Sequence, residues 1–279
     1  MNLGELTAPV VQAMNYNDLI SVVRETNRPP GGVRAVSQLA TRAHLGPQSR
    51  VLEIGTSTGI TAIELARLVG CHITAVDINE RSIAEARRRA AELGVGHLID
   101  FQVNDATATG FANDSFDLVF CGNVTSLIPD RDRALSEYTR LVKPGGFIAA
   151  IPMYYVTPPS KQLLAAVTDA IQVPVEPLDE KYWLDFFLGD GRILFHREAY
   201  TFDWISDDVV TGFVEQILAR PHLDELSTEA RAALVENYSS YMTLFRDNLG
   251  HMGFTELLVR CESDELSEPE LFTARPAAA

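Results

Sequence analysis

Apolar residues recur along this chain with two different periods. From Glu5 to Arg28, imperfectly, and again from Val33 to His44, they fall three and four apart, the spacing of an amphipathic helix; Val36, Leu39, Ala40 and Ala43 share one side of the second segment. Asn27-Arg28-Pro29-Pro30-Gly31-Gly32 breaks the pattern between them, and Gly46-Pro47 ends it. Beyond Arg50 the rhythm changes. Val51–Ile54, Ile73–Val76, Leu98–Val103, Phe116–Cys121 and Phe147–Ile151 are short apolar runs that read as strands. Ile60–Val69, Arg81–Leu93 and Asp130–Val142 carry the helical period between them. Strands alternating with helices across short loops predict parallel βαβ units, and right-handed crossovers turn these into an open, doubly wound α/β sheet.

The second half is less regular. Lys161–Ile171, Asp207–Arg220 and Thr228–Leu249 read as helices, and Arg192–Phe202 and Gly253–Cys261 as strands. Residues 1–45 are therefore expected to form an N-terminal helical cap on a main domain over 46–261, with a helical insertion at about 203–250 before the last strand. Residues 262–279 are acidic, then rich in proline and alanine, and read as a flexible tail.

Charge narrows the range of partners. The 279 residues carry a formal net charge of −15, with a sequence pI near 4.8. A chain that grips phosphate backbones normally presents a basic face. The only clustered positive charge, Arg81 to Arg89, is interleaved with Glu80, Glu85 and Glu92 and reads as a solvated helix face. No nucleic-acid partner and no membrane surface are expected. No apolar run approaches the ~20 residues of a span, and Met1–Asp18 lacks the pattern of a secretory leader. Cys71, Cys121 and Cys261 stand far apart, with no metal spacing, as buried thiols of a cytoplasmic protein do. No grouping of His, Asp and Glu shows metal-ligand spacing either, so no metal is expected.

The most informative stretch is Glu53-Ile54-Gly55-Thr56-Ser57-Thr58-Gly59, a strand running straight into a turn that opens a helix. Gly55 can take a positive φ and lets backbone approach a ligand, and the free N–H groups behind Gly59 favour an electron-rich partner. Asp77, about 20 positions beyond the turn and at the tip of the next strand beside Ile78, is placed to accept hydrogen bonds from ribose hydroxyls. Its alternative role, capping the next helix, is better suited to Asn79. Asn104-Asp105-Ala106 follows the third strand and Asn123 ends the fourth, on the same sheet edge. Two other chemistries use similar turns. The nicotinamide fingerprint needs a second glycine that Thr56-Ser57-Thr58 lacks. Gly55-x-Ser57-x-Gly59 also spells a hydrolase nucleophile elbow, which would require a base and an oxyanion loop that the surrounding pattern does not supply.

Together these residues resemble a class I S-adenosylmethionine-dependent methyltransferase, from about Arg50 to Met153 and more loosely to Cys261. Glu53 to Gly59 resembles that family's glycine-rich motif, with Ser57 at its middle glycine; Asp77 its ribose-binding acid; Asp105-Ala106 its adenine-contacting pair; and Lys143-Pro144-Gly145-Gly146 its turn before the fifth strand. The resemblance implies a Rossmann-like seven-stranded sheet in the order 3-2-1-4-5-7-6, its antiparallel seventh strand being Gly253–Cys261 paired with Arg192–Phe202. It implies S-adenosylmethionine held by Glu53, Gly55, Thr56, Ser57, Gly59, Asp77, Ile78, Asn104, Asp105, Ala106 and Asn123. The implied reaction is methyl transfer by in-line displacement to a small-molecule acceptor, with room for a homodimer. Tyr154 and Tyr155, directly after the fifth strand, are the candidates for contact with the reacting group. A module that holds the cofactor without catalysis remains the main alternative, and a nicotinamide-dependent oxidoreductase the lesser one.

Overall fold

The computed structural model describes residues 3–262; the expected tail lies outside them apart from Glu262. Before the sheet come α1 (Ala8–Gln12), α2 (Tyr16–Val23) and α3 (Gly32–Arg42). The expected Glu5–Arg28 helix is thus two helices. The chain turns after Gln12, and Asn15 restarts it by accepting from Asp18 N–H, an N-cap that competes with helix continuation. Then follow β1 (Arg50–Ile54), α4 (Ile60–Val69), β2 (His72–Asp77), α5 (Glu80–Glu92), β3 (Ile99–Val103), β4 (Phe116–Gly122), α6 (Arg131–Leu141) and β5 (Val142–Ala150). The second half holds β6 (Met153–Tyr155), α7 (Lys161–Ile171), α8 (Glu180–Phe187), β7 (Arg192–Thr201), α9 (Asp207–Leu218), α10 (Thr228–Leu249) and β8 (Met252–Cys261).

The sheet runs β3-β2-β1-β4-β5-β8, parallel up to β5 and antiparallel at β8. β7 pairs with the other side of β8. The expected seven tracks are present, and β8 with β7 are the antiparallel pair expected at the end of the sheet. The count of eight arises because the fifth track is split. β5 and β6 pair with β8 in one continuous register, Phe147 opposite Arg260 and Tyr155 opposite Met252. Between them Pro152, which has no N–H, only accepts, from Thr255 N–H at 3.2 Å. The chain bends there, at the carboxyl end of the parallel strands.

Three cores result. One lies under α3, α4 and α5, where Val36, Leu39, Ile63 and Ile83 meet Leu118 and Leu258. A second, on the opposite sheet face, gathers Leu135, Tyr138, Trp183 and Phe187 over Leu52, Val119 and Val259. Trp183 and Phe187 belong to α8, a helix too short for its periodicity to stand out in the sequence. The third is separate from the sheet: Val11, Leu19 and Val23 of α1 and α2 pack with Val214, Leu218, Leu234 and Tyr238 of α9 and α10. The segments before β1 and after β7 thus share one apolar cluster. No helix among the described residues is long and apolar enough to cross a membrane.

Candidate functional site

The glycine-rich turn is held open by backbone geometry. Gly55 has φ 71° and Gly59, which begins α4, φ 85°. The N–H groups of Gly55 and Thr56 both donate to Val76 O, at 2.8 and 3.0 Å, which ties the turn to the end of β2. A β-carbon at Gly59 would lie 2.7 Å from that of Ala86, so glycine lets α5 close against the turn. Ser57, at the position that resembles the motif's middle glycine, stands at φ 49°, in the left-handed region. Its Oγ accepts from Asn27 Nδ2 at 3.4 Å, and no histidine bonds to it among the described residues, so the hydrolase triad has no geometric counterpart here.

Asp77 links the turn to the second strand. Its Oδ2 accepts from Ser57 N–H and its Oδ1 from Asn79 N–H, both at 2.8 Å. Each carboxylate oxygen keeps a second acceptor site. Asn79 caps α5 by accepting from the Arg81 and Ser82 N–H groups, so Asp77 is not the cap. Ile78 beside it is 77% exposed, an apolar side chain left uncovered at the rim. Asn104 N–H donates to Asp77 O, and Asn104 Nδ2 to Thr109 O, bringing the third-strand loop alongside. Asp105 Oδ1 accepts from the backbone and hydroxyl of Thr107 at 2.7 and 2.8 Å, which holds its carboxyl below the usual range. Ala106 packs at the edge of the core of the opposite sheet face. Asn123 Oδ1 accepts from Met153 N–H at 3.0 Å, joining the ends of the fourth and fifth tracks. Gly55, Asp77, Asn104 and Asn123 therefore gather along one edge, over the carboxyl ends of the parallel strands.

Glu53 lies beneath the turn, 4% exposed, and its Oε2 accepts from Thr56 Oγ1 at 2.6 Å. Burial pushes its carboxyl up to about 7, against the opposing hydrogen bonds of Thr56 and Thr61. A raised folded-state value favours the protonated form. Glu53 therefore contributes stability that is full below the ordinary value of 4.5 and is lost as pH rises through about 7. Melting temperatures of the wild type and Glu53→Gln measured from pH about 5 to about 8 are expected to diverge, the wild type losing stability relative to the variant. Parallel profiles would show that Glu53 does not titrate there.

Tyr154 and Tyr155 are both buried. Tyr155 Oη donates to Asn248 Oδ1 of α10 at 2.8 Å. Tyr154 Oη accepts from Thr255 Oγ1 at 3.4 Å, with its ring in the core of the opposite sheet face. Burial raises both phenols. The two rings thus anchor the bend after β5 on separate supports.

One contributor was not apparent in the sequence. Arg89, expected on a solvated face, is 9% exposed. Its guanidinium donates to Thr58 Oγ1 at 3.1 Å and to the carbonyls of Arg24 and Glu25 at 2.7 and 3.1 Å. Thr58 Oγ1 also donates to Glu25 O at 3.3 Å. The strap between α2 and α3 is thereby pinned across the glycine-rich turn. Arg88, its neighbour, does behave as expected, paired in the open with Glu85 and Glu92.

The glycine turn and acidic strand tip of this edge fall within residues 51–146, which match a family model described as a methyltransferase domain. An uncharacterised protein of Haemophilus influenzae is 29% identical over 63% of this chain and 70% of its own length. A sarcosine/dimethylglycine N-methyltransferase of Halorhodospira halochloris is 35% identical over 50% of this chain and 48% of its own length, so the match spans about half of that relative. A Haemonchus contortus phosphoethanolamine N-methyltransferase 2, solved with phosphomonomethylethanolamine and S-adenosylhomocysteine, covers 92% of this chain and 58% of its own at 19% identity, with a TM-score of 0.67. That likeness is one of fold. The family match runs from β1 to the start of β5; the cap lies outside it.

Proposed function

We propose that the protein is a class I S-adenosylmethionine-dependent methyltransferase acting on a small-molecule acceptor. The observation that carries this reading is the joint between the turn and the second strand. Gly55 and Gly59 hold positive φ, and the Asp77 carboxylate bridges Ser57 and Asn79 with acceptor sites to spare, beside the uncovered Ile78. These residues suit a nucleoside: Asp77 for the ribose hydroxyls, Ile78 as an apolar wall for the base, and Asp105 as acceptor for its exocyclic amine. Asn104, Ala106 and Asn123 complete the rim, with Glu53 and Thr56 buried beneath it. The bound cofactor supplies an already activated methyl group on a sulfonium. The protein's task is then to align an acceptor opposite the departing sulfur and to exclude water. The cap, pinned over the turn by Arg89, supports the second role, and Tyr155, braced by Asn248, fixes the wall of the crevice after β5. The acidic net charge supports a free metabolite over a nucleic acid, and the three free, buried cysteines suit a reducing cytoplasm.

Calorimetry with S-adenosylhomocysteine, S-adenosylmethionine and NAD tests the reading. The two adenosyl ligands are expected to bind and NAD not; the reverse would overturn it. Transfer of labelled methyl to amine, hydroxy and carboxylate acceptors separates an enzyme from a holding module.

A further inference from the structure

The strand register assembles a second polar cluster away from the cofactor edge. His196 and Glu198 of β7 point to the same sheet face, and Glu198 lies directly opposite Glu256 of β8. A bulge between Leu194 and His196 sets this phase, so that His196, Glu198 and Glu256 all face α3. Strands β1, β4 and β5 separate the cluster from Asp77. Glu256 is 0% exposed. With its amide nitrogen turned toward that carboxylate, Gln38 of α3 donates to both oxygens, at 3.0 and 3.1 Å. His196 Nε2 is sealed from solvent, makes no hydrogen bond, and lies 3.8 Å from Glu198 Oε2.

We propose that His196, Glu198 and Glu256 bind a divalent first-row transition-metal ion, of the zinc type, between α3 and the β7–β8 ladder. One atom from each residue falls within 4.8 Å of the others. Metal–ligand bonds of about 2.0–2.2 Å need these atoms somewhat closer, which rotation of the half-exposed Glu198 supplies. An imidazole nitrogen with two carboxylates is a donor set for such ions, and the two carboxylates match the charge of one divalent ion. A buried imidazole nitrogen without a partner calls for one, and a cation satisfies all three groups together. The present counter-charges come from α3. Arg42 approaches Glu198 at 3.9 Å and is 43% exposed, and Arg34 sits over the Tyr200 ring at 5.1 Å. Arg42 thus competes with the ion for Glu198 from the solvent side. Bound metal would fasten the edge strand β7, whose only strand partner among the described residues is β8, to the helix below.

Titration of the untagged protein with Zn2+ by calorimetry, and with Co2+ by visible absorption, tests this. One equivalent is expected, with cobalt d–d bands showing nitrogen ligation. His196→Ala should weaken zinc by about tenfold or more and abolish the bands. Glu198→Gln, at a half-exposed position, should weaken zinc as well, and serves where His196→Ala melts early without metal. Arg42→Ala should bind more tightly, because its competing charge is gone. Zinc binding as strong in both ligand variants as in the wild type, or a wild type without cobalt bands, would mean only surface histidines are engaged and would overturn the site.

Discussion

Gly55→Ala is expected to abolish measurable binding of S-adenosylhomocysteine and to lower the melting temperature. The added β-carbon would fall 2.4, 2.6 and 2.9 Å from Val124 Cγ2, Cβ and Cγ1, too close for any real contact. The residue would also be held at φ 71°, which costs about 1–2 kcal/mol for a non-glycine residue. Relieving the overlap by displacing Val124 or the turn costs about 1–3 kcal/mol more. Together these correspond to a fall in melting temperature on the order of 5–15 °C for a chain of this size. Affinity is expected to suffer more than stability, because the turn that shifts is the one proposed to lie against the ligand. Thermal melts and calorimetry check both effects. Val124→Ala in the same chain removes the two γ-carbons but leaves Cβ at 2.6 Å, so it should restore only part of the melting temperature; a Gly55→Ala protein that binds normally would show that the turn has slack.

Asp77→Ala should weaken S-adenosylhomocysteine binding by about a hundredfold or more while leaving the sheet intact. Two backbone donors, Ser57 N–H and Asn79 N–H, lose a charged acceptor at 2.8 Å, and the ribose loses the acceptor proposed for it. Hydrogen bonds to a charged group are worth about 1.5–3 kcal/mol each. Asp77→Asn is the sharper comparison. It preserves size and one carbonyl acceptor but turns an amine toward one of the two N–H groups, so it should bind more weakly than wild type and more tightly than alanine. Calorimetry gives the affinities and circular dichroism the state of the fold. An alanine variant with unchanged affinity would make Asp77 a purely structural brace of the turn.

The parts of this molecule legible from its sequence are those where one period governs a whole element. Parallel strands buried on both faces leave short apolar runs such as Val51–Ile54 and Phe116–Cys121, and these fall in β1 and β4. The glycines and Asp77 stand where strand ends must, so their spacing carried the edge. What stayed hidden depends on distant partners. Arg89 looks like Arg88 in sequence, and only the strap from Arg24 to Glu25 distinguishes them. The split of the fifth track turns on one missing N–H at Pro152, and the return of Met153–Tyr155 to β8 beyond it leaves no local signal after the run Phe147–Ile151. His196 and Glu256 lie far apart in the chain, so no local spacing announces that a β7–β8 ladder brings them under one helix. The shared cluster of α1, α2, α9 and α10 is likewise invisible to local periodicity, since each helix alone reads only as amphipathic.

The position of β8 has a consequence for how the chain is made. It is the last strand described, yet β5, β6 and β7 all bond to it, and Leu257, Leu258 and Val259 at its centre are fully buried. During synthesis the strands up to β5 can pair as they emerge, since each finds its neighbour nearby. Phe147 then waits for Arg260, its partner in the register, until nearly all of the described chain exists. Until that moment the long edge of β5 is unpaired, an invitation to pair with another nascent copy. Misassembly in this protein would therefore concentrate in the interval before β8 is free to pair, when the half-built sheet depends most on chaperones.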